Sequence, residues 1–269
     1  QLTYMPHNGV HSRSEQISLI SHWAYKKTVD ENLFNALKRL LKKKLDKKDA
    51  LVVEKLYTDI SKTRKLPEDF VKELSKATTL GYHAWERARK ESNFEIFRPH
   101  LEKIVKLKQD ECKYIREKGH PYNTLLDAYE EGMTVEKLIP VFNNLKKDLI
   151  GLLEKIKSSE IHKKQKRVLL KGNFSINEQR KFCDDVLSRI GLKNEISRLD
   201  LSMHPFTDRV GIDDVRITTN FRENPLFSFE STIHEAGHAL YELNLPKKEA
   251  NNVLGEVPSL GMHESQSRF

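Results

Sequence analysis

The chain has 269 residues, 38% hydrophobic and 32% charged, enough to bury a core without disulfide staples and a composition unlike that of disordered or fibrous proteins. No stretch approaches the roughly 20 apolar residues that span a bilayer, and the N-terminus lacks the basic-then-apolar pattern of a secretory leader. The formal charge of +8 raises nucleic acid as a partner, because clustered Lys and Arg are the footprint of phosphate binding.

The densest basic cluster, from Lys38 to Lys48, argues against that partner. Leu37, Leu40, Leu41 and Leu45 fall on one helical stripe with the bases opposite. No aromatic residue interleaves the bases for stacking and no recognition motif appears, so the segment is predicted to be one amphipathic helix with a solvated face. From Ser14 to about Ile190 the apolar period is helical almost throughout. A clear stripe follows Pro67 through Phe70, Val71, Leu74, Ala77, Gly81, Ala84, Trp85 and Ala88, and a second follows Pro99 through Leu101, Ile104 and Val105. The break at Ser92-Asn93 reads as the turn of an antiparallel helix pair. Further helices are predicted near Thr134 and at Ser175, the latter with Glu178 completing a capping box.

Strand character appears only at Asp214 to Thr219, where β-branched residues alternate with polar ones. The predicted fold class is mainly α: a helical body with a small β-sheet near the site, forming a single domain over residues 1–269. Cys112 and Cys183 stand far apart without C-x-x-C spacing, which predicts free thiols in a reducing compartment rather than a disulfide or a cysteine metal site.

The chemistry-bearing stretch is His234-Glu235-Ala236-Gly237-His238, flanked by helical residues and ended by Pro246. Histidines at i and i+4 lie about 40° apart around a helix and roughly 6 Å apart along it, so both imidazoles can converge on one ion. Glu235 between them projects to the side, where it can hold a water activated by the ion and take its proton. Ala236 and Gly237 are small enough for close packing beside a metal. A catalytic zinc takes three protein ligands and keeps one position open. Glu242 lies roughly 12 Å along the helix from His234, too far to be the third. The H-E-x-x-H-x-x-G-x-x-H pattern is excluded by Tyr241 and Asn244. Glu249, Glu256 and Glu264 remain, and spacing does not choose among them.

Gly261-Met262-His263-Glu264-Ser265-Gln266 resembles the H-E-S-Q element of the carboxypeptidase Taq family of metallocarboxypeptidases. His204-Pro205-Phe206 is similar to that family's H-P-F motif, Asp214-Val215-Arg216-Ile217-Thr218 to its D-x-R-x-T motif, and His234 to His238 to its H-E-x-x-H, all in family order. Tyr4-Met5-Pro6, Ala84 to Arg89 and Leu125 to Gly132 also resemble its helical region. The resemblance implies a zincin-like fold, with His234, His238 and Glu264 as ligands of Zn²⁺ for which Co²⁺ can substitute. It further implies Glu235 as catalytic base, C-terminal trimming of peptides with broad side-chain tolerance, a homodimer and a cytoplasmic location. The family usually continues through I-R-x-x-A-D and G-x-x-Q-D-x-H-W motifs and carries a helical segment ahead of Tyr-Met-Pro. The chain is therefore expected to be an incomplete portion of such an enzyme, about its first half, with a weakened activity when alone.

Arg216 and His204 are the substrate-binding candidates. The Arg216 guanidinium suits either a peptide carboxylate or an ion pair with Asp214 or Asp213. His204 suits either the cleft or the ordering of its own loop. Tyr241 is placed in the cleft or in core packing, and His263 beside Glu264 or facing substrate.

Overall fold

The computed structural model describes residues 3–164 and 173–269. Helix α1 (Val10–Thr28) is followed by α2 (Glu31–Leu40) and α3 (Lys47–Thr63). The single helix predicted through Lys38–Lys48 is two helices. The Asp46 carboxylate accepts from the Asp49 N–H and caps a new start, and residues 41–46 form the turn between. The leucine stripe nevertheless faces inward: Leu37, Val53 and Ile60 form a cluster with Leu40 and Leu45, and Leu41 is left exposed.

Helix α4 (Glu68–Glu91) buries Phe70, Ala77, Gly81, Ala84 and Ala88 along the predicted stripe. It ends at Ser92, which adopts a left-handed conformation at φ 50°. Helix α5 (Arg98–Ile115) returns along it: the Ile104 side chain meets Gly81 midway along α4, and Tyr114 meets Phe70 edge-on at 5.3 Å at the far end. Val105 is exposed rather than buried, and Leu107 is buried instead. One residue past Ile104 points about 100° away from the seam, whereas three residues past it returns to it. Helix α1 crosses α4 through small polar residues, with Ser18 Oγ donating to the Lys72 carbonyl at 3.1 Å and the Ser21 and Ser75 hydroxyls 3.1 Å apart, and the Tyr25 hydroxyl donates to the Leu66 carbonyl just ahead of α4 at 2.7 Å.

Helices α6 (Asn123–Asp127), α7 (Val135–Ser158) and α8 (Glu160–Lys164) follow. Thr134 caps α7 by accepting from the Lys137 N–H, and α7 leaves Phe142, Leu145, Leu149 and Leu153 exposed along one side. The part of the predicted helical stretch that falls on residues 165–172 lies outside the described residues. Helix α9 (Ile176–Arg189) opens with the predicted capping box between Ser175 and Glu178.

The sheet holds β1 (Ser197–Leu201), β2 (Thr207–Gly211) and β3 (Asp214–Thr219) in the order β1-β3-β2. Central β3 runs parallel to β1 and antiparallel to β2. Alternation sends Val215 and Ile217, both fully buried, to one face and Arg216 to the other. Helix α10 (Pro225–Leu243) lies on the Val215/Ile217 face. Its Ala236 and Ala239 join Cys183, Leu187, Leu192 and Leu199 in the core. Two short turns then lead to α11 (Leu260–Arg268), which packs across α10. Among the described residues no helix is long and apolar enough to cross a membrane.

Candidate metal centre

Asn224 starts α10 by accepting from the Leu226 N–H, with Pro225 at the first helical position. The core-facing alanines fix the rotation of the helix, which turns His234 and His238 to one side with ring centroids 4.9 Å apart. Ser259 starts α11 by accepting from the Met262 N–H, and α11 delivers Glu264. Its Oε2 lies 3.6 Å from Nε2 of His234 and 3.6 Å from Nε2 of His238. Among the described residues this is the cluster of His, Cys, Asp and Glu donors fit for a cation, one ligand atom from each lying within 4.8 Å of the others. Glu249, one of the sequence alternatives, pairs with Lys48 at 2.5 Å instead.

The spacing suits an ion. A distance of 3.6 Å is too long for a direct nitrogen–oxygen hydrogen bond. It lies close to the roughly 3.3–3.5 Å edge of a tetrahedron whose bonds are about 2.0–2.2 Å. Two imidazoles and a carboxylate form a donor set for zinc or a similar divalent ion. Burial, with His263 alongside, pushes the His238 imidazole below its ordinary value, toward the neutral form that a ligand must have.

Gly237 permits the two helices to approach. A Cβ there would stand 2.6 Å from the Gln266 carbonyl oxygen and 2.7 Å from Ser267 Cα, both main-chain atoms of α11. The small residue between the histidines thus sets how near Glu264 comes.

Glu235 is buried on the flank of the donors. Thr207 Oγ1 lies 2.8 Å from its Oε2 and 2.8 Å from its main-chain oxygen, so the single hydroxyl proton serves one acceptor at a time. Burial pushes the Glu235 carboxyl up, and the Thr207 hydrogen bond with the nearby His234 and His204 partly offsets it.

The structure does not bring Arg216 to the donors. It sits on the sheet face opposite α10, with Nε and Nη2 forked onto Asp214 at 2.5 and 2.6 Å, the ion-pair alternative. His204 is exposed in the turn between β1 and β2, edge-on to Trp85 at 6.4 Å and near enough to act on the Glu235 charge. Tyr241 packs edge-on to His263 at 5.6 Å. Thr207 and Arg209 escaped the sequence reading. Their pairing with Ile217 and Val215 turns both toward α10, and only recognition of β2 would have revealed it.

A family model described as Carboxypeptidase Taq (M32) metallopeptidase matches residues 1–269. The chain is 33% identical to thermostable carboxypeptidase 1 of Thermus thermophilus, over 100% of this chain and 55% of that protein. It is 35% identical to thermostable carboxypeptidase 1 of Pyrococcus furiosus, over 98% of this chain and 54% of that one. The crystal structure of the M32 carboxypeptidase from Deinococcus radiodurans R1 matches with a TM-score of 0.83 at 32% identity, covering 100% of this chain and 54% of that one. The chain spans about half the length of these relatives.

Proposed function

Because the chain belongs to the carboxypeptidase Taq (M32) family of metallopeptidases, we propose that it serves a zinc-dependent carboxypeptidase that releases amino acids from peptide C-termini. The observation that carries this reading is the meeting of His234, His238 and Glu264 across α10 and α11. In this proposal those three hold the ion, and Co²⁺ can take the place of Zn²⁺. The bound ion supplies Lewis acidity, polarising the scissile carbonyl and acidifying water.

Glu235 takes the proton of the attacking water on its carboxylate and hands it to the leaving amine. Its burial supports this role by raising the carboxyl toward the pH at which it can both accept and release a proton. Thr207 holds the Oε2 edge of that carboxylate in place. His204, beside Trp85 and within reach of the Glu235 charge, is proposed as a substrate contact. For Arg216 the fork onto Asp214 favours ordering of β3 over contact with a peptide carboxylate. A single peptidase domain, a cytoplasmic location and a homodimer belong to the same proposal, by extension from the family resemblance.

A mass-spectrometric time course on defined peptides tests it. Ladders that shorten by one C-terminal residue at a time are expected. Internal cleavage would replace this reading with an endopeptidase using the same donors.

A further inference from the structure

We propose that Glu242 and His263 are positioning residues that hold the His238 imidazole in its ligating orientation, an inference that rests on the metal-centre reading above. A metal-binding histidine ordinarily hands its second ring nitrogen to a carboxylate, carbonyl or water that fixes the ring. Nδ1 of His238 is buried and makes no close hydrogen bond, and the His263 main chain acts on the imidazole only weakly, so packing carries much of its orientation. The packing is specific. The His263 ring lies flat on the His238 ring, with centroids 4.3 Å apart and planes 21° apart.

His263 is itself anchored. Its Nε2 stands 3.0 Å from Glu242 Oε1, so an N–H there donates to the carboxylate. The other oxygen, Oε2, faces Arg209 Nη1 at 3.6 Å, and Nη1 donates to the Gly255 carbonyl at 3.2 Å. Tyr241 closes the edge of the His263 ring. The side chains of His263, Glu242 and Arg209 are 16%, 15% and 17% exposed, which shields the contacts from water.

The chain geometry makes the brace local to the ion. Glu242 lies one helical turn beyond His238 on α10, and His263 immediately precedes Glu264 on α11. The same turn of α11 therefore delivers one ligand and the plate that steadies another. A stitch that merely joined α10 to α11 would need no flat stacking on a ligand ring.

Zinc affinity of the intact protein, measured by competition with a chromophoric chelator, tests the inference. E242A and H263A are each expected to weaken zinc binding about 10–100-fold, the usual loss when an outer partner of a ligand is removed. The double variant is expected to be no weaker than the worse single one. E242Q keeps an acceptor for the His263 N–H and is expected to stay near wild type. The visible spectrum of the cobalt-loaded protein should shift in E242A and not in E242Q, which a general loss of stability would not produce. If E242A fails to fold, H263F carries the test: it keeps a packed ring without the anchor and is expected to bind several-fold more weakly. Wild-type affinity and spectrum in H263A and in E242A or H263F overturn the inference, provided His234→Ala loses the metal. If His234→Ala also binds like wild type, the metal-centre reading fails and this inference falls with it.

Discussion

In a G237A variant the added methyl carbon meets main-chain atoms of α11 at 2.6 and 2.7 Å, whereas ordinary contact begins at 3.4 Å. The helices then have to part by about 0.8 Å, the difference between 2.6 and 3.4 Å. Two effects oppose one another in the metal-free protein. Alanine in place of glycine inside a helix gains about 1 kcal/mol, and overpacking costs about 1–3 kcal/mol. The obstacle is backbone, which cannot rotate aside, so the cost prevails and a net loss of about 0–2 kcal/mol is expected in denaturant unfolding. The effect on metal binding is larger. Ligand distances tolerate deviations of only about 0.2 Å, and a retreat of α11 carries Glu264 past that limit. Zinc affinity, read by chelator competition, is expected to fall at least about tenfold, or about 1.4 kcal/mol. A G237A protein that binds zinc like wild type and is about 1 kcal/mol more stable would refute the close approach of the two helices.

Gly81 offers the contrasting case. A Cβ there meets the tip of the Ile104 side chain at 2.7 Å rather than backbone, so G81A is expected to range from neutral to about 1 kcal/mol stabilising. A clear loss in thermal unfolding would show that Ile104 cannot move. E235Q keeps its size but cannot accept the proton, so kcat is expected to fall by about 10²–10⁴-fold with metal content unchanged. Full turnover in that variant would remove Glu235 from proton transfer. Glu68 joins α1 to α4: hydrogen bonds from Lys26 and Lys72, with His22 nearby, hold its carboxyl down at about 2 against an ordinary 4.5. Its stabilising contribution is complete above pH 4.5 and is lost as pH falls toward about 2. The melting-temperature gap between wild type and E68Q should therefore close over that range, and a gap that persists at the acid end would assign it to another cause.

What could be read in advance follows the range of the forces involved. The His234/His238 pair and the Ser175/Glu178 capping box depend on neighbours within one helical turn, so spacing alone reveals them. Glu264 arrives on a different helix after a loop whose path no periodicity encodes, and only its surrounding motif singled it out. Strand β1 alternates polar and apolar residues over only Arg198 to Leu201, too briefly to stand out, and β2 turns Thr207 and Arg209 inward and Val210 outward, so it offers no apolar face to detect. With β2 unseen, Thr207 and Arg209 could not be placed against α10. The alternation of β3 was legible, but not which of its faces the helix would cover, so the two readings of Arg216 could not be separated. The break at Asp46 is not legible in the stripe, because one continuous run of leucines fits two helices meeting at a turn as well as it fits one.

Metal content measured by plasma mass spectrometry, on wild type and on Glu264→Ala after dialysis against a mild chelator, addresses the centre itself. One divalent ion per chain retained by wild type and stripped from the variant is the expected result. Equal retention by both proteins would contradict a site built from His234, His238 and Glu264.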